Sequence, residues 1–554
     1  MSSLLVIMFL LPTAGAVAVA LMGSNRPDAV RKLSLLVTLA TLALSIIVVA
    51  NYETTSPDVL EKEVMSPQMV TRATWFEYER AEGPPIKIEA YLGIDGLSLW
   101  LVALTALLTV SAVLVSWTAI NVRVSEFFAW LLILETGMLG VFCAFDLIMF
   151  YVFFEFTLIP LFFLIGIWGG TQREYAAGKF FIYTLTGSLL GLLGLLAVVL
   201  GVNSINPDVL TFAIPELAQE IHRQMKLDDP NVIAFWRNAQ FWMFLAMFAG
   251  FAIKVPLFPF HTWLPLAHVE APTAGSVLLA GVLLKLGSYG FLRLAMPLLP
   301  YGVIDIGVPL VATLSVIGIL YGAFCALSQR DMKRLVAYSS VSHLGFCMLG
   351  LFALNAEGIA GGTLQMINHG LSTGLLFLLV GMIYERLHTR QLDDMGGLAS
   401  RLPVFSVCLV FACLSSMGLP GLNGFVGETL SLMGMFKVHP GYAVVATLGI
   451  IIGAWYLLNM LRLALFGTAS KKLSSFHDLP DLNGREIASL APIMAFCLII
   501  GVYPQPFLSV MQPEVDAIAA IYDGERPNPL AARTTTSHEQ LVAALPTNPS
   551  EAEP

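Results

Sequence analysis

The sequence has few charges for a chain of its length. Only 12% of its 554 residues are charged, whereas 57% are hydrophobic. Average soluble domains carry about 25% charged residues, so this chain cannot cover a soluble globule and lipid must surround most of it. Apolar runs of about 20 residues, the length that crosses a hydrocarbon core, recur from Leu4 to Tyr503. We therefore expect an all-α membrane protein with about 14 transmembrane helices.

Cysteine and basic clusters are also scarce. The six cysteines show no Cys-x-x-Cys or Cys/His spacing, so we expect no disulfide framework and no metal site. Much of the net charge of −9 comes from the segments 52–90 and 513–554, and nothing resembles a nucleic-acid footprint.

The first apolar run, Ser3–Met22, lacks the basic start of a secretory signal. It is expected to be a retained helix, although the small residues around 14–20 leave cleavage as an alternative.

Arginine and lysine in short loops mark the cytoplasmic side of a membrane protein. Here basic loops follow predicted spans one, three, five, nine, eleven and thirteen, and in that order they carry these residues: Arg26, Arg31 and Lys32; Arg123; Arg173 and Lys179; Arg330, Lys333 and Arg334; Arg386, Arg390 and Arg401; Lys471, Lys472 and Arg485. Odd-numbered spans would then exit to the cytoplasm. We expect a multi-pass protein of the bacterial inner membrane with both termini, the acidic 52–90 segment and the C-terminal tail in the periplasm.

Two predicted spans, the seventh and the twelfth, are interrupted at Lys254–Pro259 and at Leu414–Gly424. Interrupted helices at corresponding places in two halves are typical of transporters with internal repeats. An offset of five spans predicts inverted repeats of spans 4–8 and 9–13, unless the prolines merely kink two ordinary helices. The first predicted domain is three N-terminal helices with a periplasmic loop (residues 1–125, loop 52–90). Two five-helix repeats follow (126–300 and 301–468). A cytoplasmic loop with the last helix (469–510) and a disordered periplasmic tail (511–554) complete the chain.

Several ionisable residues lie inside the apolar runs, where each charge costs at least about 2.5–3.5 kcal/mol. The predicted topology places six of them near the middle of the membrane: Glu155, Lys254, Lys285, His343, His369 and Glu428. Burial brings the proton affinities of carboxylate, lysine and histidine side chains closer together, which favours proton exchange between them. The pattern predicts a mid-membrane proton relay; purely structural ion pairs, and packing roles for single histidines, are the alternatives. Support or access roles are expected for four further residues, with membership of the relay as the alternative: Glu135, His261, His268 and Glu270.

At these residues the sequence resembles the antiporter-like membrane subunits of proton-translocating NADH:quinone oxidoreductase, respiratory complex I. The resemblance covers most of residues 95–470 and rests on these segments: Ile148–Pro160, Trp263–Pro272, Ala280–Gly290, Ala337–His343, Asn368–Gly370 and Gly418–Glu428. Glu428 favours the NuoM-like branch, which includes mitochondrial NADH dehydrogenase subunit four, because related subunits are expected to carry lysine there. The string Ala-His-Val-Glu-Ala-Pro at 267–272 points to the same branch.

The resemblance also implies roles and partners. It assigns the relay as follows: Glu155 and Lys254 as the input-side pair, Lys285 as the central connector, His343 and His369 as polar links, and Glu428 as the exit-side or inter-subunit residue. The chain would be one proton pump among other membrane subunits, with a sister antiporter-like chain on either side and with lipid and internal water. FMN, iron–sulfur clusters and quinone would bind partner subunits. The chain would then be part of a translocase without a redox site of its own.

Three other functions share some of these features. A subunit of a cation/proton antiporter would have the same fold and would show sodium-dependent proton exchange without NADH, but Glu428 argues against it. A solute symporter would need a polar pocket beside the interrupted helices, whereas the surroundings of Glu155 and Lys285 are apolar. A structural scaffold explains the helices but not the repeated buried charges.

Overall fold

The computed structural model describes residues 2–56, 65–81, 83–227, 229–474 and 479–523. Its secondary structure is mostly helical, because a chain in lipid has to satisfy its backbone hydrogen bonds within each segment. The helices up to residue 298 are α1 (Ser2–Met22), α2 (Pro27–Ala50), α3 (Gly96–Ala119), α4 (Val124–Cys143), α5 (Leu147–Phe156), α6 (Leu158–Trp168), α7 (Arg173–Ile205), α8 (Ile214–Met225), α9 (Pro230–Lys254), α10 (Trp263–Glu270) and α11 (Thr273–Leu298). Those that follow are α12 (Pro300–Leu327), α13 (Met332–Leu351), α14 (Ala356–Leu387), α15 (Leu398–Arg401), α16 (Pro403–Ser416), α17 (Asn423–Val438), α18 (Pro440–Leu465), α19 (Lys471–Ser474), α20 (Gly484–Val502) and α21 (Gln505–Ala520).

Among the described residues, 11 helices are long and apolar enough to cross a membrane, with α5 and α6 counted as one. The remaining predicted spans are helical as well: α9 with α10, α13, and α16 with α17. The expected all-α membrane fold is therefore confirmed. The number of 14 spans and the two inverted repeats stay predictions.

The segment between α2 and α3 holds a two-stranded hairpin that the apolar pattern does not predict. Its strands, β1 (Gln68–Tyr78) and β2 (Ile86–Ile94), pair antiparallel. β1 is largely exposed, whereas the end of β2 is buried and leads into Asp95. Asp95 caps α3 by accepting the backbone N–H of Ser98 at 3.1 Å. Within the predicted loop 52–90, residues 57–64 and 82 lie outside the described residues.

The prediction of a disordered tail from residue 511 is wrong for its first part. Residues Gln505–Ala520 form α21, which packs against α3 and α14. Phe507, Met511 and Val515 follow one another at intervals of four residues and are buried. Such an apolar stripe stabilises a helix by docking it on its neighbours. The rest of the predicted tail, residues 524–554, lies outside the described residues.

Both predicted interruptions are present. Residues 255–262 separate α9 from α10, and residues 417–422 separate α16 from α17. In the second interruption Gly418 and Gly421 have φ angles of +76° and +91°. Glycine adopts this left-handed region without a steric penalty, so these two residues allow the chain to leave one helix and enter the next.

Side chains replace some of the hydrogen bonds that the helices lose at the interruptions. Trp263 Nε1 donates to the carbonyl oxygen of Ile253 at 2.9 Å. In the second interruption Asn368 Nδ2 donates to the carbonyl of Asn423 at 2.8 Å, and Asn423 Nδ2 donates back to the carbonyl of Asn368 at 3.1 Å. Buried in protein, such irregular backbone is tolerated at membrane depth.

Glycines also bring each interruption close to a neighbouring helix. A side chain at Gly287 in α11 would collide with Val255, which follows α9. A side chain at Gly427 in α17 would collide with Gln365 and Asn368 of α14. The two interruptions therefore lie directly against α11 and α14, the helices that carry the middle of the predicted relay.

Candidate functional site

Two central residues of the predicted relay are in direct contact. Lys285 Nζ lies 2.6 Å from His369 Nδ1, and both residues are buried. Lys285 follows the π-helical turn Leu279–Leu283 within α11 and also donates to the carbonyl of Ala280. Turns of this kind are frequent at functional sites. The backbone of α11 thus supplies one partner of the ammonium group and His369 supplies another.

A second contact joins His343 and Glu428. His343 Nδ1 lies 2.7 Å from Glu428 Oε1, and Gln365 Nε2 donates to the same oxygen at 3.1 Å. On the other side of the ring, His343 Nε2 lies 3.1 Å from the Tyr456 hydroxyl and 3.4 Å from that of Ser416. Side chains from three other helices, α16, α17 and α18, contact this imidazole and fix its orientation.

The two contacts are joined through the histidines. The ring centroids of His343 and His369 lie 6.1 Å apart. The structure therefore brings four of the six predicted relay residues, on four different helices, into one buried cluster.

The remaining two residues, Glu155 and Lys254, face each other across α5 and α9. Their side chains interact electrostatically. Lys254 Nζ also donates to Thr157 Oγ1 at 3.4 Å and lies 4.7 Å from the centroid of the Phe154 ring. Both Glu155 oxygens are enclosed, and within the described part of the chain neither has a hydrogen-bond partner, since the nearby Ser188 hydroxyl does not meet hydrogen-bond geometry. This end of the predicted relay is a charge pair with little hydrogen bonding.

His268, for which the sequence predicts a support or access role, interacts with the cluster and with a further buried lysine. Its ring stacks on Phe377 with centroids 4.6 Å apart. It interacts electrostatically with Lys285 and with Lys333. Lys333, in the first turn of α13, donates to the carbonyl of Ala271 at 2.5 Å. The arrangement leads from Lys285 toward the loop that the basic residues assign to the cytoplasm.

The other three support residues make their contacts outside the relay cluster, and Glu270 also interacts electrostatically with Lys333. Glu270 Oε2 accepts the backbone N–H of Gln172 at 2.9 Å, which ties α10 to the start of α7. His261 is buried and packs edge-on against Tyr321, with centroids 5.1 Å apart. Glu135 is fully buried in α4, and neither oxygen has a hydrogen-bond partner among the residues that the structure describes.

Three polar residues in this part of the protein, Tyr456, Gln365 and Arg293, are not among the predicted site residues. Tyr456 and Gln365 hold His343 and Glu428, but single polar residues are common in apolar runs and give no signal of their own. Arg293 does give one, because it is a lone charge between apolar residues of α11. The cost of such a charge in lipid would have marked it in the same way as Lys285.

The chain belongs to a known family of membrane proteins. A family model described as NADH:quinone oxidoreductase/Mrp antiporter, TM, matches residues 144–453. The matched region contains all six predicted relay residues, both interruptions and the whole buried cluster. The family expected from the sequence is therefore confirmed.

The most similar relatives narrow the class further. The chain is 39% identical to NADH-quinone oxidoreductase subunit M of Rhodobacter capsulatus, over 95% of this chain and 98% of that protein. It is 40% identical to NADH-ubiquinone oxidoreductase chain 4 of Chondrus crispus, over 80% of this chain and 84% of that one. A chain of respiratory complex I from Thermus thermophilus with bound NADH matches with a TM-score of 0.78 and 32% identity, over 94% of this chain and 100% of that chain. Within the family, the protein is thus an antiporter-like, proton-translocating subunit of the membrane arm of complex I.

Proposed function

We propose that protons cross this subunit by way of six mid-membrane residues: Glu155, Lys254, Lys285, His369, His343 and Glu428. Redox chemistry in other subunits would drive the movement. The observation that carries the proposal is the pair of short contacts, 2.6 Å from Lys285 to His369 and 2.7 Å from His343 to Glu428. Groups within hydrogen-bonding distance can exchange a proton without a large movement of either side chain.

The first exchange in the cluster is between Lys285 and His369. A charged lysine donates to Nδ1 of a neutral histidine, whose own proton then lies on Nε2. Transfer of one proton along the contact leaves a neutral amine and an imidazolium that is protonated on both nitrogens. Because His369 can hold the charge in turn, the proton need not stay on Lys285.

From His369 the proton has to reach His343 and then Glu428. With centroids 6.1 Å apart, the two rings need a rotation of the His369 ring or a bridging water for this step. When Tyr456 donates to Nε2 of His343, the proton of that ring lies on Nδ1, in the contact with Glu428. A proton that arrives at Nε2 then releases the one on Nδ1 to the carboxylate.

The pair of Lys254 and Glu155 would control entry into the cluster. A proton on Glu155 removes the counter-charge of Lys254 and leaves a buried ammonium group without its partner, which favours release of the lysine proton. Val255, the next residue, packs directly on Gly287 of α11, close in sequence to Lys285. The interruption after Lys254 also offers backbone carbonyls to water.

The orientation and the partners are part of the same proposal. The alternation of basic loops supports a bacterial inner-membrane protein with both termini in the periplasm. His268 and Lys333 would then lie on the cytoplasmic access side. Sister antiporter-like chains would flank this one within the membrane arm, while FMN, iron–sulfur clusters and quinone would be held by other subunits, with no redox site in this chain.

Replacement of the central lysine tests the proposal. Lys285→Met keeps the length of the side chain but removes the nitrogen that carries the proton. In vesicles that contain the assembled complex, NADH-driven proton pumping should fall at least about tenfold, equal to a barrier increase of roughly 1.4 kcal/mol. NADH oxidation by an artificial acceptor should be unchanged, because that reaction does not pass through this chain.

Lys437→Met is the matched control. Lys437 is an exposed lysine in α17 that pairs with Glu357, so its loss should leave pumping unchanged. Normal pumping by an assembled Lys285→Met complex would overturn the proposal.

A further inference from the structure

A second buried charge on α11 lies outside the relay. Arg293 follows Lys285 by eight residues, about 12 Å along a helix. Its guanidinium group forms a two-pronged ion pair with Asp95, with both nitrogen–oxygen distances at 2.6 Å. Both side chains are only 1% exposed. Arg293 Nε also donates to the Tyr289 hydroxyl at 3.0 Å. The positive charge of Arg293 is thus balanced by one carboxylate.

Glu514 of α21 brings a second carboxyl group into the same region. It is 3% exposed. Its Oε1 accepts three hydrogen bonds, from the hydroxyls of Tyr52 at 3.1 Å and Thr55 at 3.0 Å and from the backbone N–H of Gly96 at 3.3 Å. Its Oε2 has no hydrogen-bond partner in the described part of the chain. One oxygen therefore acts as an acceptor and the other is available to carry a proton.

Close packing holds the two carboxyl groups together. A side chain at Gly96 would collide with the Glu514 carboxylate and with the carbonyl oxygen of Val510. The start of α3 is therefore pressed against α21, and Asp95 is the residue just before this contact. Further along, the Tyr522 hydroxyl donates to the carbonyl of Met296 at 2.6 Å, which ties the end of this segment to α11.

The surroundings of Glu514 bring its protonation equilibrium close to physiological pH. The titratable and charged groups that face it are Tyr52 from the loop after α2, Asp95 at the start of α3, and Arg293 of α11 through Asp95. Burial and the negative charge of Asp95 raise the pKa of Glu514 to about 7. Burial and the two carboxylates raise the pKa of Tyr52 well above its usual value, so the phenol stays neutral and donates. Glu514 is therefore protonated below about pH 7 and ionised above it.

We propose that Glu514 is a further proton-binding residue of this subunit, which exchanges protons with the periplasmic side and is coupled electrostatically to α11 through Asp95 and Arg293. The inference rests on the function and the orientation proposed above. Binding forms one O–H bond at Oε2, release breaks it and returns the proton to water, and no electron moves. The ionised carboxylate would repel Asp95, which is the partner of Arg293 on the helix that also carries Lys285.

Infrared difference spectra of the purified complex, recorded between pH 6 and pH 8, test the proton binding directly. The wild-type complex should lose a carboxylic-acid C=O band as the pH rises through about 7. Glu514→Gln should lack this band. Glu357→Gln, which removes an exposed glutamate that pairs with Lys437, should retain it. A band that persists in assembled Glu514→Gln would overturn the inference.

Pumping by the same variants tests whether the bound proton belongs to translocation. Glu514→Gln should lower the number of protons pumped per NADH oxidised at least twofold, whereas Glu514→Asp, which keeps a carboxyl group, should recover part of the loss. An unchanged ratio at every pH, with the band absent, would also overturn the inference. The relay variant Lys285→Met keeps the two proposals apart: if it abolishes pumping while Glu514→Gln behaves like Glu357→Gln, only this inference fails.

Tyr52→Phe provides a test that does not depend on the survival of a Glu514 variant. It removes one of the three donors to Oε1 and so destabilises the ionised carboxylate. Because the loss of a donor favours the protonated carboxyl group, the midpoint of the infrared titration should move upward by about one to two pH units. A midpoint that stays in place or moves downward would contradict the assignment of the band to Glu514.

Discussion

The two interrupted helix pairs hold their buried charges in different ways. Lys254, at the first interruption, has one hydroxyl at 3.4 Å, one aromatic ring at 4.7 Å and the charge of Glu155 nearby. Oε1 of Glu428, beyond the second interruption, lies 2.7 Å from His343 Nδ1 and accepts a hydrogen bond from Gln365 at 3.1 Å. The first pair depends on electrostatic attraction, whereas the second depends on a network of directed hydrogen bonds.

The different surroundings of Lys254 and Glu428 indicate how each end of the proposed relay responds when a proton binds. A charge that is balanced mainly by one opposite charge loses most of its stabilisation when that partner is neutralised. A carboxylate with several neutral donors keeps part of its stabilisation through any single protonation event. The end at Lys254 is therefore suited to a large change in charge state, and the end at Glu428 to holding a proton acceptor in a fixed place.

Loss of Lys254 should have the largest effect. Lys254→Ala leaves Glu155 without its counter-charge, and breaking one side of a buried pair costs about 3–5 kcal/mol. We expect Glu155 to be permanently protonated and NADH-driven pumping in vesicles to fall more than about tenfold, while NADH oxidation by an artificial acceptor survives. Lys254→Arg separates the two roles of the lysine, because arginine keeps the charge but does not release a proton. Normal pumping by either assembled variant would remove Lys254 from the relay.

Glu428→Ala should cause a smaller loss. His343, Gln365 and Tyr456 remain as polar groups around the vacated position and still offer partners to a proton carrier. We expect pumping to fall about threefold to tenfold, a barrier increase of roughly 0.7–1.4 kcal/mol. Glu357→Gln serves as the control at an exposed carboxylate. If pumping falls as far as it does in Lys254→Ala, the remaining hydrogen-bonding groups do not compensate for the lost carboxylate.

Much of this site follows from the sequence, because charges in apolar runs stand out. Lys254, Lys285 and Glu428 each lie in a long apolar segment, and the cost of a charge in lipid marks them without any structure. The two interruptions are equally visible, since proline and glycine cannot continue a helix without consequence.

Contacts across the chain do not follow from the sequence in the same way. Lys285 and His369 are 84 residues apart, and depth in the membrane says only that they share a plane. The C-terminal helix α21 could not be predicted from the sequence either. Its apolar stripe at Phe507, Met511 and Val515 is too short for a membrane span, and its docking on α3 depends on the small residue Gly96. Pairing within the hairpin is set by its contacts with the rest of the protein.

The interruptions themselves should differ in what they contribute to stability. Asn368→Ala removes the donor to the buried backbone carbonyl of Asn423 and leaves that carbonyl unsatisfied, whereas the Asn423 amide still donates to the backbone carbonyl of residue 368. A loss of about 1–3 kcal/mol is expected for an unsatisfied buried polar group, seen as a lower temperature for heat-induced loss of the assembled complex. Trp263→Phe also removes one donor, but the carbonyl of Ile253 that it leaves is only half-buried, so the loss should be about 0.5–1.5 kcal/mol. Equal shifts would mean that the second interruption has no extra support from its side chains.

The smallest effect is expected at Tyr456. Tyr456→Phe keeps the buried ring but removes the hydroxyl next to His343 Nε2, and the Ser416 hydroxyl at 3.4 Å remains as a weaker partner. The histidine proton is then less firmly assigned to Nδ1, so pumping should fall by no more than about threefold, a barrier change of roughly 0.7 kcal/mol. A pH profile of pumping distinguishes this role from simple packing. A loss that varies with pH indicates a role in proton transfer, whereas a packing defect lowers the rate equally at every pH.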